Sequence, residues 1–525
     1  NVRHLEPLGF IKFDILGLAS LRMVEGAISH ILRRHHGIKE PSFADIKKWY
    51  DENLEPNVLN LNDQKVYKNV FHKGKWAGVF QFTEKGAQGF CKKAKPESII
   101  DISAITSIYR PGPLSAKVHN HYVKAKRNPM SVKYLHPLVK EVTKETYGFL
   151  IFQEQIALLA HKLGKDLSLD EGNMLRKLLT KKGTGKGNEK KMAIHKKFIE
   201  GCVEKGIKES DAQTLWQTFE YFSGYGFNKS HAVSYSILSY QCAHLLTYYP
   251  VEWLAAFLDK EPEGRKEQAI NIVRSLGYKV KRPDINESGQ VWEISETEKK
   301  TLVQPLTSIK GLGDKAVEQI LQHRPFNTPE ELLFNEDISY SKLNKKALDV
   351  LVRSGALNNM VDDRFTGLKH FWSAVAVDRP KKEKNLLDNI ELYKPEGDFT
   401  KAEKMEFLTN LTGIYPINEV VSDKLLKKFG KLKVPPIGEY DRDLRLCWFI
   451  IRDVIEKKTK TGKDYWILKT IDNESNQIDI KCWGVDPQLD YCKKNVPCMA
   501  KLDYNDTWGF STRSFRRNIK FVELS

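Results

Sequence analysis

At 525 residues the chain exceeds what one hydrophobic core supports, so about three or four domains are expected. Hydrophobic residues make up 41%, enough for sizeable cores, and no apolar run reaches the roughly 18–20 residues of a membrane span. Lys and Arg number 84 against 67 Asp and Glu, a balance of +17 that favours a polyanionic partner, most simply nucleic acid, while seven cysteines are too few for a disulfide framework.

In chain order, Gly9-Phe10-Ile11-Lys12-Phe13-Asp14-Ile15-Leu16-Gly17-Leu18 alternates apolar residues and predicts a strand, followed by a helix at about Ala19 to Arg34. Helical periodicity then dominates to about Lys260, broken by turns such as Arg110-Pro111-Gly112-Pro113. Lys181 to Met192 holds five lysines, three glycines and one acid, a composition that predicts a mobile basic loop able to meet a phosphate backbone. Gly224-Tyr225-Gly226-Phe227-Asn228-Lys229-Ser230-His231-Ala232 sets a lysine, a serine and a histidine together beside aromatics and small residues, and Val233 to Leu246 reads as a buried helix. Cationic donors at a helix start suit a phosphate, since free amides and the helix dipole both favour an anion there.

Ile309-Lys310-Gly311-Leu312-Gly313-Asp314-Lys315-Ala316 has the form of a helix–hairpin–helix turn, with a second half over Leu348 to Leu357. Residues 358–400 are charged and predict a linker. From Leu444 the period becomes two. Leu446-Cys447-Trp448-Phe449-Ile450-Ile451 and Tyr465-Trp466-Ile467-Leu468 flank Lys460-Thr461-Gly462-Lys463 as a hairpin, and Ile478 to Trp483 adds a strand. Short strands rich in aromatics and lysines suit an OB-type barrel that binds single strands by stacking and charge. Trp448 is expected in its core; Trp466 and Trp483 are left open between core and surface. The late cysteines, Cys447, Cys482, Cys492 and Cys498, lack a C-x2-C pair, so buried thiols are favoured over zinc.

Together these motifs resemble the alpha subunits of bacterial DNA polymerase III, the family C replicative polymerases. Lys12 to Leu18 is similar to the palm motif that carries the third catalytic carboxylate. Gly78-Val79-Phe80-Gln81-Phe82, Tyr109 to Pro113, Phe152-Gln153-Glu154-Gln155, Leu175-Arg176-Lys177 and the Gly224 to Ala232 run are similar to fingers motifs. Ile309 to Ala316, Thr412-Gly413-Ile414-Tyr415-Pro416 and the barrel follow in family order. The resemblance implies a multidomain α+β chain: a palm remnant at 1–35, mainly helical fingers at 36–285, a helix–hairpin–helix and clamp-proximal region at 286–378, a linker and connector at 379–440, and an OB-type β-barrel at 441–525.

The implied reaction is template-directed DNA synthesis by a DNA-directed DNA polymerase. A primer 3′-hydroxyl attacks the α-phosphate of a dNTP between two Mg²⁺ ions roughly 3.5–4 Å apart. By resemblance Asp14 is a metal-holding catalytic carboxylate, with Lys12 on the same strand face. Arg110, Arg176, Lys177, Lys229, Ser230 and His231 are expected at the triphosphate, and Tyr109 and Phe152 near the nascent base pair. The family usually has Tyr at position 152 and often Arg at position 177. Lys310, Gly311, Gly313 and Lys315, the basic pair Lys181 and Lys182, and Trp466 are the expected DNA contacts.

The family's upstream palm aspartates and PHP domain have no counterpart before Asp14. The chain begins at Asn1 with no signal or transit-peptide pattern, and it is expected to be a fragment or the C-terminal piece of a split bacterial or phage polymerase. On this reading it is inactive alone and shares its two Mg²⁺ ions with carboxylates of an N-terminal portion. The other expected partners are primer–template DNA, dNTPs and a sliding clamp, in a cytoplasmic setting without a membrane. Asn385 to Ile390 is a poor match to a clamp motif. The alternative is a non-catalytic DNA-binding module. A DNA ligase is disfavoured, because Lys12-Phe13-Asp14 is followed by Ile15 and the hairpins precede the barrel.

Overall fold

A computed structural model describes residues 8–10, 17–110, 113–114, 117–180, 186–223, 226–459, 461–473, 476–486 and 490–522. The chain divides into two compact units, Asn1–Ala256 and Phe257–Ser525. No helix among the described residues is long and apolar enough to cross a membrane. Asp14, Lys12, Lys181 and Lys182 lie outside the described residues, as does most of the strand expected before Ala19.

The first unit is helical, as its periodicity predicts. Its axis is the helix Lys229–Tyr248, packed against Ile99–Ile108 and buried at Ala232, Leu238, Tyr240, Cys242, Leu245 and Leu246. A helix sunk this deeply must satisfy its polar side chains internally. Ser236 meets the Ser103 hydroxyl at 2.9 Å, Ser239 donates to the Phe80 carbonyl at 2.9 Å, and Gln241 donates to the Leu54 carbonyl at 2.8 Å. A second core gathers the helices Pro137–Thr143, Gln153–Leu163, Leu169–Thr180, Lys186–Glu204 and Glu209–Ser223 around Leu159, Leu163, Leu175, Phe198 and Phe219.

The loop expected over Lys181 to Met192 is corrected from its sixth residue. A helix begins at Lys186 and runs to Glu204, because Ile194, Phe198 and Cys202 recur on one face and bury against that core. Lys191 is tied to Glu220 at 2.6 Å instead of standing in solvent.

A buried ionic centre organises the same unit. Asp101 accepts from Lys126 Nζ at 2.9 Å, from the Tyr122 and Tyr147 hydroxyls at 3.2 and 3.3 Å, and from the Glu97 amide at 2.9 Å. Burial works against the Lys126 ammonium, but the Asp101 charge overrides it and holds the lysine above its usual value. Burial, reinforced by the same carboxylate, pushes the Tyr122 and Tyr147 hydroxyls up.

The second unit opens with a three-stranded sheet of β1 (Lys279–Lys281), β2 (Glu293–Ile294) and β3 (Thr301–Val303), in the order β1-β3-β2 with β1 and β3 parallel. The hairpin half follows as expected: Gly311 takes φ +91°, and Gly313 caps the helix Asp314–His323. The helix Lys345–Arg353 and Gly355, at φ +82°, form the second half. Leu312, Val317, Ile320, Leu348 and Leu351 knit the two halves into one core.

That core also corrects the expected linker. The helix Glu383–Leu392 buries Leu386 and Ile390 against Phe371 and Val375, and Arg379 is buried with its guanidinium 3.7 Å over the Tyr340 ring. Apart from Arg379, most of the charges that suggest a linker lie on outward faces, while the apolar residues between them pack. Within Asn385 to Ile390, the poor match to a clamp motif, Leu386 and Ile390 are thus core residues of a helix.

The last segment is a curled seven-stranded sheet consistent with an OB-type fold. Its strands are β4 (Leu446–Lys458), β5 (Asp464–Ile471), β6 (Gln477–Trp483), β7 (Pro497–Lys501), β8 (Asp503–Asn505), β9 (Gly509–Arg513) and β10 (Ile519–Phe521). They are ordered β10-β7-β4-β5-β6-β9-β8. A bulge between Ile451 and Asp453 interrupts the β4–β5 register and bends the sheet. Trp448 is core, stacked on Phe429 at 4.8 Å. Cys447, Cys482 and Cys498 are also core; burial pushes the Cys447 and Cys482 thiols up to about 12 and raises Cys498 as well.

Candidate nucleotide and nucleic-acid sites

The Lys229–Tyr248 helix starts at Asn228, whose side chain accepts from the His231 amide at 2.8 Å. Asparagine at this position supplies the oxygen that the first turn lacks. Immediately before it, Phe227 pairs with Phe152 in a short parallel bridge: the Phe227 amide donates to Ile151, and the Gln153 amide donates to Phe227. Gln155 fixes the other side of that junction, accepting from the Ile151 and Phe152 amides at 2.8 and 3.0 Å. Two segments far apart in sequence are thus locked by backbone hydrogen bonds, and their side chains have little freedom.

Around this bridge the structure brings three of the expected cations, Arg110, Lys229 and Arg176. The Arg110 guanidinium lies 3.8 Å over the Phe227 ring, where the negative π-face attracts it; its partial burial there lowers its pKa from the usual value. Lys229 Nζ lies 5.8 Å from the Phe152 ring centre and 2.6 Å from Glu145. Arg176 approaches Glu154 at 3.8 Å, and exposed Lys177 follows it on the same helix. Glu154 joins the group: its carboxylate accepts from Asn228 Nδ2 and from the Lys229 amide, both at 2.9 Å.

This arrangement changes the expected use of the helix start. The amides of Lys229 and His231 already have acceptors in Glu154 and Asn228. An incoming anion therefore meets side-chain cations here, with two carboxylates as the groups it must displace. Nothing local in the sequence marks Glu145 or Glu154 as site residues; Glu154 stands inside the Phe152 to Gln155 motif, but only three-dimensional packing reveals whom it pairs with.

The remaining expected residues are more dispersed. Ser230 is exposed and donates to the Asn228 side chain at 2.7 Å. His231 is exposed and packs 4.1 Å from Tyr235 and 5.3 Å from Phe227; Tyr235 in turn lies 5.1 Å from Phe80. A ladder of rings therefore links the Gly78 to Phe82 motif with Arg110. Phe152 is fully buried, so it supports Lys229 and presents no face to a base. Tyr109 is half-buried and lines a separate cavity of about 690 Å³ with Gly86, Lys93, His119, Lys124 and Arg127. A Cβ at Gly86 would fall 1.8 Å from the Tyr109 hydroxyl, so the ring rests against bare backbone.

In the second unit Lys310, Gly311, Gly313 and Lys315 are exposed around buried Leu312. Lys315 is in contact with Glu318 at 3.0 Å. The amides at a helix start have no intrahelical acceptors, which suits this turn to a backbone phosphate. On the barrel, Trp466 is 4% exposed and packs on Phe515, so its expected DNA contact is replaced by core packing. The outward aromatics are its neighbours. Tyr465 and Trp483 stack at 4.6 Å across β5 and β6, and Lys481 lies 5.1 Å from the ring centre of Trp508, which is 70% exposed. The strand alternation that hides Trp466 turns Tyr465 to the other face.

Among the described residues no group of three or more His, Cys, Asp or Glu side chains is assembled to hold a metal ion. The expected metal ligand, Asp14, is outside them.

Comparison with known proteins gives matches along most of the chain. A family model described as the bacterial DNA polymerase III alpha subunit finger domain matches residues 40–206, and a helix-hairpin-helix motif model matches residues 277–367. The Helicobacter pylori (strain ATCC 700392 / 26695) protein described as DNA polymerase III subunit alpha is 32% identical over 498 residues, covering 88% of this chain and 39% of its own length. The protein of the same description from Aquifex aeolicus is 30% identical, covering 91% of this chain and 39% of its own; that of Chlamydia muridarum is 33% identical, covering 81% and 31%. The chain thus spans well under half the length of these curated relatives.

Proposed function

The chain belongs to the bacterial DNA polymerase III alpha-subunit family, and from that premise we propose that it supplies the fingers, the DNA-gripping hairpins and the barrel of a replicative DNA polymerase. The observation that carries this reading is the gathering of Arg110, Arg176 and Lys229 around the Phe152–Phe227 bridge. A dNTP tail is polyanionic, and transfer of its α-phosphate to a primer 3′-hydroxyl depends chiefly on positioning and compensating charge. Lys229 exchanges Glu145 for the triphosphate, and Arg176 exchanges Glu154. Arg110, held on a ring, keeps its orientation while its charge stays available. Lys177 adds charge beside Arg176, and Ser230 and His231 border the same helix start.

Asp14 and Lys12 are the proposed palm contribution; Asp14, with carboxylates of an N-terminal portion, would hold two Mg²⁺ ions, which would supply charge stabilisation for the attacking and leaving oxygens. Lys310, Gly311, Gly313 and Lys315 hold duplex backbone, and Tyr465, Trp483 and Trp508 with Lys481 offer stacking surfaces to a single strand. Lys181 and Lys182 are further proposed contacts to the DNA backbone. A sliding clamp is the proposed further partner, in the cytoplasm.

Primer extension with Mg²⁺ and four dNTPs tests the proposal. The chain is assayed alone and with a polypeptide carrying the upstream palm and its two aspartates, with Asp14→Ala as control. Extension only in the mixture, abolished by Asp14→Ala, is the expected result. Salt-sensitive DNA binding with no dNTP affinity would overturn it in favour of a non-catalytic binding module.

A further inference from the structure

The cavity beside Tyr109 has no part in the polymerase reading, and two helix faces wall it. Gly86, Gly89 and Lys93 recur along Lys85–Ala94, and His119, Val123 and Arg127 along Val118–Arg127, at spacings that share a face. Both glycines withhold side chains from the first wall. A Cβ at Gly89 would meet nothing within 4 Å, so bare helix backbone faces open space there. Arg110, Arg176 and Lys229, the cations assigned to the triphosphate, do not line this cavity.

The two ends of the cleft differ in chemistry. At one, the Tyr109 hydroxyl rests against Gly86, and the His119 ring stands edge-on to buried Phe90 at 5.9 Å. At the other, Arg127 Nη2 donates to the Lys93 carbonyl at 3.2 Å, which ties the basic last turns of both helices together. Lys124 lines the same space one turn before Arg127, and no carboxylate among the described residues does. His119 Nδ1 is buried without a hydrogen-bond partner. A buried nitrogen in that state is uncommon, and a polar ligand group beside it removes the cost.

Size and polarity together set the ligand class. The cavity, about 690 Å³, falls within the roughly 300–1,000 Å³ that encloses a whole organic ligand. Gly86 and Lys93 are seven residues apart on one helix, about 10 Å at the helical rise, so the ligand must carry a flat ring at one end and an anion at the other. We propose that this cleft binds a nucleoside phosphate at a site separate from the triphosphate cations. The base lies on the glycine face beside Tyr109, and the phosphate meets Lys93, Lys124 and Arg127, whose guanidinium offers paired donors to phosphate oxygens. The ligand is either a free nucleotide or one unpaired nucleotide of a strand, since the recognised chemistry is the same.

Calorimetric titration of the full chain with ADP, in the absence of Mg²⁺, tests the assignment. Saturable binding is expected that survives Lys229→Met and is weakened about tenfold or more by Gly89→Leu or Arg127→Gln. Leucine at position 89 occupies the cavity and is a better helix former than glycine, so this variant should fold. Circular dichroism confirms each fold, and exposed Arg127 decides the matter alone if Gly89→Leu does not fold. A thymidine oligomer that displaces ADP assigns the site to an unpaired nucleotide of a strand; ADP retained under saturating oligomer assigns it to the free nucleotide. Absence of ADP binding, binding unchanged by both Gly89→Leu and Arg127→Gln in folded variants, or binding lost with Lys229→Met overturns the proposal.

Discussion

Lys229 Nζ and Glu145 Oε1 are 2.6 Å apart, and each side chain keeps 32% of its surface open to solvent. The pair is therefore accessible to a competing anion, and its own contribution to stability is small, about 0–1 kcal/mol. Glu145→Gln should leave the denaturation midpoint nearly unchanged while tightening dNTP binding a few fold, because the triphosphate no longer competes with a carboxylate. Lys229→Met should weaken it by about tenfold or more. Equilibrium dNTP titrations of the two variants check the opposite signs.

The Asp101 centre has the reverse character. Asp101 and Lys126 are 5% and 7% exposed, and removing one partner of a buried pair strands the other's charge. Asp101→Asn should cost about 3–5 kcal/mol in denaturant unfolding, with part regained in Asp101→Asn/Lys126→Met. The pH dependence has a definite sign. Lys126, Tyr122 and Tyr147 are all raised in the fold, so the folded state holds their protons more tightly than the unfolded chain. Their contribution is complete below the unfolded values, near 10, and is lost as pH rises beyond them. Alkaline titrations of stability should show this fall.

Two tryptophans on one barrel separate packing from binding. Trp466→Ala empties core space and should cost about 3–5 kcal/mol of stability. Trp508→Ala, on an exposed ring, should leave stability nearly unchanged and remove about 1–3 kcal/mol of single-strand affinity. Unfolding curves and oligonucleotide titrations on the same preparations distinguish them.

At the hairpin, Lys310→Ala should weaken duplex binding uniformly across sequences and reduce the salt slope by about 1. Gly311→Ala should act through the backbone instead. It places a side chain at φ +91° with Val350 Cγ1 at 3.4 Å, and it should destabilise the fold by about 1 kcal/mol or more. Salt-dependent binding for the first and thermal unfolding for the second are the measurements.

The elements legible in the sequence are those written in periodicity: the buried Lys229–Tyr248 helix, the glycine turns at 311 and 355, and the β4–β5 hairpin. Each is decided by residues close in sequence. What was not legible depends on partners supplied by the fold. Nothing local distinguishes Trp466 from Tyr465 until one knows which face of β5 looks inward. Phe152 is hidden because Phe227, seventy-five positions later, pairs with it. The helix starting at Lys186 and the helix Glu383–Leu392 carry enough charge to read as loop and linker, and are held by apolar residues on one face. The candidate cations were legible as types at positions; their carboxylate partners were not.

Gly86 bears on Tyr109 in a way that concerns how the protein can be altered. Any side chain at position 86 collides with the tyrosine hydroxyl, which is the far end of a ring that can swing aside, and not with main chain. Replacement there should thus leave the scaffold intact and relocate the ring. The orientation of this aromatic is encoded at a neighbouring position by the lack of an atom, so variation at 86 offers a route to retuning the cavity while Tyr109 itself stays the same.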